Sequence, residues 1–447
     1  MSNPATELPS KEEVLLRFDG IRPVLVETPS SNSIISRKVE STRSFAIQAI
    51  PALMLAVFGL ILAGFTLQWV SHGEFFRENG DAVTVVPVLA GLKGNIEMTM
   101  ASRLTSAAAA GTLSIRTIRS NVGLAVVQGF GVSSIAAIFL FSAQQFHAPT
   151  PTFEEFLFLV VVMVATATIA SFVMGIMVSA AVFLCQKKGG SADAIVIPLA
   201  ATIGDIGSIG LFSGVGTVLM AFREHVYILA VVVLVLMLFS VIVGGAFVLQ
   251  DNRTRHALKW GWIPIVSATG IGVGAGLFLH ATSKGNLERF QPVLNGIGGN
   301  LAAILSSRIA TDLHCDSMES SRRKPSWRTT ALAFDPVRMF KWSSEAYHST
   351  VALVLFLLSL PLFLVSFAIL DAESLVASAF RYRELAAFCF TGILQALFLL
   401  WLASGMPFLC ATNGWCPDTA VIPIITAVGD LFSSGFFFMF VKLFQSP

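Results

Sequence analysis

The chain has 447 residues, of which 55% are hydrophobic and 13% charged, with a mean hydropathy of +0.76. A charged share about half that of an average soluble protein excludes an ordinary cytosolic enzyme and a disordered chain. A net charge of +2 leaves no basic surface suited to nucleic acid. Residues 1–43 are polar, with both charge signs and runs of serine, and read as a soluble tail rather than a signal peptide. Apolar segments follow at about 44–70, 83–112, 122–146, 155–185, 194–221, 226–249, 259–282, 290–312, 348–370, 384–411 and 419–445. Recurrent apolar runs near 20 residues predict an all-α polytopic membrane protein of about 11 transmembrane helices.

With the N-terminus placed in the cytoplasm, 19 of the 29 Lys and Arg residues fall in inside segments and 7 in outside ones. Lys93, Arg103 and Arg308 lie within spans. This bias predicts a cytoplasmic N-terminus and an extracellular C-terminus. Tyr227, Tyr347 and Tyr382 fall at span starts, where interfacial anchors belong. The five cysteines, Cys185, Cys315, Cys389, Cys410 and Cys416, lack zinc spacing.

The two halves repeat. Residues 87–103, PVLAGLKGNIEMTMASR, match residues 292–308, PVLNGIGGNLAAILSSR, at eight of seventeen positions. Gly91/Gly296, Gly94/Gly299, Asn95/Asn300, Ser102/Ser307 and Arg103/Arg308 are among the pairs. Residues 193–205, DAIVIPLAATIGD, match 418–430, DTAVIPIITAVGD, through Asp193/Asp418, Gly204/Gly429 and Asp205/Asp430. Two ordered matches that preserve polar residues in apolar surroundings indicate duplication. Five spans per copy would invert the second copy, so the span at 226–249 restores its orientation. The expected arrangement is therefore two parallel five-helix repeats joined by a linker helix, 5+1+5, about a pseudo-two-fold axis along the membrane normal. It divides the chain into a tail (1–43), a first repeat (44–221), a linker helix and loop (222–258) and a second repeat (259–447).

Asp205 and Asp430 each lie about 12 residues into a span, ~18 Å deep at 1.5 Å per residue and so close to the bilayer midplane. A carboxylate there is costly and is kept for a use, or is paired with an arginine such as Arg103 or Arg308. Asn95 and Asn300 lie about as deep. Their glycines, Gly91, Gly94, Gly296 and Gly299, allow close helix packing or break the helix and free carbonyls for a cation. Glu97 is unique to the first repeat and four residues from Lys93; it is a possible further ligand. Asp193 and Asp418 begin their spans, either as first-turn acids complementing a helix dipole or as a ring at the cytoplasmic mouth. Ser102 and Ser307 complete an all-oxygen set, with Gly204 and Gly429 beside the two aspartates. Oxygen ligands without a Cys/His cluster suit hard cations such as Mg²⁺, held directly or through its waters.

These motifs resemble those of the MgtE-like divalent-cation transporters, specifically the eukaryotic-type solute carriers with two MgtE transmembrane domains in one chain. The resemblance rests on GLKGNIEMTMASRLTSAA (91–108), NGIGGNLAAILSSRIAT (295–311) and the two Asp…Ile-Pro…Gly-Asp segments, and it spans about 44–445. It implies Mg²⁺ as the transported substrate with no cofactor, an ion site at Asp205 and Asp430, and a plasma-membrane protein. It also implies a fused repeat that acts as a monomer in the lipid bilayer and mimics the dimer of single-repeat relatives. Ala194 and Thr419 stand where the family usually has Asn. Na⁺ is a candidate coupling ion if the transporter is an exchanger.

Two other readings compete. A carrier for an organic solute predicts aromatic or basic groups along the path. An intramembrane aspartyl protease would use the paired acids, but Thr202 and Ala427 replace the first glycine of the Gly-x-Gly-Asp pattern. The 313–346 segment, with Arg322, Arg323 and Lys324 before Ser326, reads as a long connection between spans.

Overall fold

The computed structural model describes residues 42–79, 82–144, 152–188, 192–282, 288–319, 325–340, 347–372 and 382–445. Among the described residues there is no strand. Eleven helices among the described residues have 21 residues or more: α1 (Thr42–Ser71), α3 (Ala82–Ala109), α4 (Ile115–Gln144), α5 (Phe153–Lys187), α6 (Ala192–Met220), α7 (Val226–Val248), α9 (Trp262–Thr282), α10 (Gln291–Glu319), α13 (Tyr347–Leu370), α14 (Tyr382–Thr412) and α15 (Pro417–Gln445). Four shorter ones intervene, α2 (Glu74–Glu78), α8 (Asn252–Trp260), α11 (Trp327–Ala333) and α12 (Pro336–Met339). The tail through residue 41 lies outside the described residues.

Local chemistry sets the ends. Thr152 and Glu155 form a capping box at the start of α5: Glu155 N–H donates to Thr152 Oγ1 at 3.3 Å and Thr152 N–H to Glu155 Oε2 at 2.9 Å. Gly111 and Gly414 stop α3 and α14 with φ of +67° and +78°, values a side chain resists. The 313–346 segment is partly helical rather than a plain connection. It contains α11 and α12, and Ser326 caps α11 by accepting from Thr329 N–H at 3.2 Å.

Among the described residues, eight helices carry a stretch long and apolar enough to cross a membrane: α1, α4, α5, α6, α7, α13, α14 and α15. The protein is thus a multi-pass integral membrane protein. Three of the eleven expected spans, α3, α9 and α10, are not among these eight. In α9 the qualifying run is short, Trp262–Ala275, among the described residues. Helices α3 and α10 are encased by other helices, α3 by α4, α5, α6, α9 and α15. A helix surrounded by protein instead of lipid can carry the polar residues that a lipid-facing one cannot. By contrast α7 exposes Val231, Val235, Phe239 and Ile242, as a lipid-facing helix should.

The packing has a repeating plan. α6 packs on α1, α3 and α5, and α15 packs on α9, α10 and α14. Across the halves, α1 lies on α10 and α13 while α9 lies on α3 and α4. Helix α1 therefore serves two cores. Phe45, Leu53 and Leu60 join α10, α13, α14 and α15, whereas Leu67 and Val70 join α3, α5 and α6. Each core has an aromatic knot. Phe212 meets Phe75 at 5.3 Å between centroids, and its repeat mate Phe437 meets Phe388 at 6.3 Å.

Candidate functional site

Between the halves lies a cavity of about 100 Å³ lined by residues of α1, α3, α6, α10 and α15. Its volume admits an ion with several waters and falls short of the ~300–1,000 Å³ of pockets for organic ligands. Asp205 from α6 and Asp430 from α15 both line it. Among the described residues, no Lys or Arg makes an ion pair with either carboxylate. Arg103 instead donates Nε–H to Asn121 Oδ1 at 2.8 Å, and Arg308 lies over the Phe45 ring at 4.5 Å.

Gly91 and Gly94 face these acids from α3. A Cβ on Gly91 would lie 3.6 Å from Asp430 Oδ2, and one on Gly94 3.9 Å from Asp205 Oδ1. α3 is continuous through both glycines, and α10 through Gly296 and Gly299. The reading in which these glycines break the helix and release carbonyls is therefore corrected. What they supply is room: a side chain on Gly91 or Gly94 would enter the cavity, and one on Gly296 would run into Leu60. Gly299 faces Thr426 of α15.

Asn95 lines the cavity, and its Oδ1 accepts from Thr426 Oγ1. Asn300 is buried but does not line it, and its Oδ1 has no hydrogen bond among the described residues. In the matched segments Ala201 stands where the second has Thr426, so the hydroxyl that holds Asn95 has no repeat mate. Glu97 is buried against Gly204, the residue before Asp205. Gly429 instead accepts a hydrogen bond on its carbonyl from Gln395 Nε2 at 3.2 Å. The side chains of Lys93 and Asp193 lie outside the described residues.

Asp418, Ser102 and Ser307 form a second polar group two turns along α3 from Asn95. Ser102 Oγ and Ser307 Oγ are 3.1 Å apart, and Ser106 Oγ and Thr311 Oγ1 3.2 Å. Asp418 Oδ1 accepts from Ser102 at 2.8 Å and from Ser106 at 3.2 Å. Residues matched by the repeat, Ser102 with Ser307 and Ser106 with Thr311, thus touch each other.

Sequence reasoning missed Gln291, Asn295 and Thr426, all on the cavity wall. Asn295 Oδ1 accepts from Ser433 Oγ at 2.5 Å and from Gln291 Nε2 at 3.2 Å, and Gln291 Nε2 also donates to Ser434 Oγ. The available signal was polarity in apolar segments without repetition.

The sequence profile of MgtE, described as a divalent cation transporter, matches residues 86–215 and 291–440. Solute carrier family 41 member 2 of Gallus gallus is 30% identical over 97% of this chain and 77% of its own. The Homo sapiens member 2 is 31% identical over 88% of this chain and 69% of its own. Member 3 of Rattus norvegicus is 30% identical over 88% of this chain and 86% of its own.

Proposed function

Because this chain belongs to the MgtE family of divalent cation transporters, we propose that it carries Mg²⁺ across a membrane through the cavity between its halves, with Asp205 and Asp430 as the ion's principal anchors. It is a transporter and not an enzyme. One observation carries the choice of site. Two carboxylates line one small cavity, with no Lys or Arg ion pair to either among the described residues. Carboxylates in a low-dielectric setting need a counter-charge, and a divalent cation supplies one for both. Mg²⁺ sheds water reluctantly, so a cavity with space for waters favours outer-sphere contact with Asp205, Asp430 and Asn95. Glu97, Asp193, Asp418, Ser102, Ser307 and Asn300 are secondary in this reading.

The 5+1+5 plan of eleven spans belongs to the same proposal, with repeats at 44–221 and 259–447. The recurring helix pairings and the Ser102–Ser307 contact support it. So do the cytoplasmic N-terminus and extracellular C-terminus expected from the Lys/Arg bias. We further assign the protein to the plasma membrane, acting as a monomer in lipid. Na⁺ is the candidate counter-ion for exchange, and flux with Na⁺ gradient and voltage varied separately decides between exchange and passive conduction.

The test is Mg²⁺ uptake into liposomes by purified, monodisperse protein. Asp205→Asn and Asp430→Asn should each lower uptake by about tenfold or more, which corresponds to ~1.4 kcal/mol. The double variant should be little worse, because both changes spoil one shared site. Normal uptake in both single variants overturns the site.

A further inference from the structure

Where the linker helix α7 stops, the helix beside it goes on. Gly123 of α4 meets Gly244 of α7. From that contact α7 runs ~6 Å further to its end at Val248, whereas α4 runs ~12 Å back to its start at Ile115. Both ends lie together, because Arg253, just past α7, donates Nη1–H to Thr112 Oγ1, just before α4, at 3.0 Å. The start of α4 therefore overhangs the end of α7 by about one helical turn. The overhang carries arginine. Arg116 and Arg119 stand seven and four residues before Gly123, hence on the face of α4 that packs on α7, and both are exposed. Arg255 of α8 closes the step; it too is exposed, and it donates Nη2–H to the Leu249 carbonyl at 3.4 Å.

Among the described residues, none of these four arginines makes an ion pair. Asp251, the acid beside them, caps α8 by accepting from Arg253 N–H at 2.8 Å. Hydrocarbon adjoins the charge. Leu249 and Trp260 are each more than half exposed, and Leu249 continues the exposed apolar face of α7 from Ile242.

We propose that this step binds an anionic phospholipid, with the headgroup phosphate held by Arg116, Arg119 and Arg255 and the acyl chains laid along Leu249 and α7. Guanidinium forks match phosphate oxygens, and a tryptophan suits the headgroup boundary. A soluble anion would meet the same arginines but has nothing to lay on Leu249. A zwitterionic lipid would leave most of the positive charge unmet. With the N-terminus in the cytoplasm, as proposed above, the step faces the leaflet that carries anionic lipid. The bound lipid would join α4 to α8 across the end of the linker helix, bracing the joint between the halves. The site needs a membrane protein and owes nothing to the ion site.

Trp260 is the reporter, ~8 Å along α8 from Arg255. The purified full chain is reconstituted in phosphatidylcholine vesicles that contain a minor fraction of dibrominated phosphatidylserine or of dibrominated phosphatidylcholine. The bromines quench indole fluorescence on contact, and the difference between wild type and Trp260→Phe isolates Trp260. In wild type, brominated phosphatidylserine should quench Trp260 at a fraction about tenfold lower than brominated phosphatidylcholine. Arg119→Gln and Arg255→Gln should each cut that preference by about fivefold, the worth of one basic residue at an anionic surface. Arg119→Lys should keep most of it. Arg77→Gln should leave it unchanged, because α2 lies by Arg223 at the other end of α7. Equal quenching by the two lipids, or a preference that survives both Gln variants, overturns the site. Excess glycerophosphoserine, the headgroup without chains, should not relieve the quenching; relief would mean a site for free phosphate and would overturn the lipid assignment. If wild type shows no preference and a full chain with Glu7, Glu12, Glu13 and Asp19 changed to their amides does, the tail occupies the step and the proposal falls. Both leaflets hold the probe, so a wrong topology leaves this readout intact, and a failed preference leaves the ion site standing.

Discussion

Buried acids in this protein divide by the company they keep. Asp371, at the end of α13, is fully buried, and its Oδ1 accepts from Arg289 Nη2 at 3.0 Å. Asp205 and Asp430 line a cavity and make no such pair among the described residues. The same substitution should therefore do opposite things. Asp371→Asn leaves a buried guanidinium without its counter-charge, a loss of about 3–5 kcal/mol, and should appear as a lower yield of monodisperse protein. Asp205→Asn removes a charge that has no arginine waiting for it, so the protein should stay folded and lose uptake. Size-exclusion yield beside uptake per molecule separates the two, and an Asp371→Asn protein of normal yield would show that the pair carries no stability. Asp205, Asp430 and Asn95 were legible in the sequence because a polar residue that recurs in matched apolar segments demands an explanation. Gln291, Asn295 and Thr426 were not, because each breaks the repeat: their mates are Val86, Ala90 and Ala201. A search for what the halves share passes over where they differ.

At the scale of helices, the motif glycines, suited to either packing or breakage as sequence, act as absences. Helix α3 runs unbroken past Gly91 and Gly94 because its hydrogen-bond ladder needs no interruption to leave a cavity beside two missing side chains. The same principle brings α4 and α7 together, where a Cβ on Gly244 would lie 2.9 Å from the Gly123 carbonyl oxygen. The sequence located α3 and α10 by their motifs but gave them the same standing as lipid-facing spans. Their polarity becomes intelligible only once the helices around them are known. Where α3 meets α10, the repeat-matched Ser102 and Ser307 hydroxyls are 3.1 Å apart. Ser102→Cys with Ser307→Cys should form a bridge under mild oxidation, detected by mass spectrometry after proteolysis between the halves. If transport needs α3 and α10 to part there, uptake should fall on oxidation and return with reductant. Folded double-cysteine protein that forms no bridge would contradict the contact, and unchanged uptake in bridged protein would place any moving part elsewhere.

For the whole molecule, the recurring pairings suggest two similar bundles, yet each bundle borrows from the other. The first half of α1, with Phe45, Leu53 and Leu60, completes the core of α10, α13, α14 and α15. Helix α9, from the second half of the chain, gives Ile265 and Val273 to the core of α3, α5 and α6. Division at the linker, natural from the sequence, cuts through both exchanges, because matched motifs report common descent and do not report which copy a helix packs against. Lipid tails are as apolar as these side chains, so hydrophobic transfer contributes little to helix docking inside a bilayer; close packing and satisfied polar groups hold the bundle. A half deprived of its borrowed helix then loses contacts that lipid replaces poorly, and it exposes polar faces of α10 or α3 that lipid cannot replace at all. Cutting the connection between α7 and α8 gives the fragments 1–250 and 251–447. Each alone should aggregate or be degraded, whereas the two expressed together should co-purify as one monodisperse species and recover Mg²⁺ uptake. The exchanged helices make that outcome specific. A fragment 251–447 that lacks α1 yet purifies folded and monodisperse would mean that the second core closes without Phe45, Leu53 and Leu60, and that the exchange is incidental to the fold.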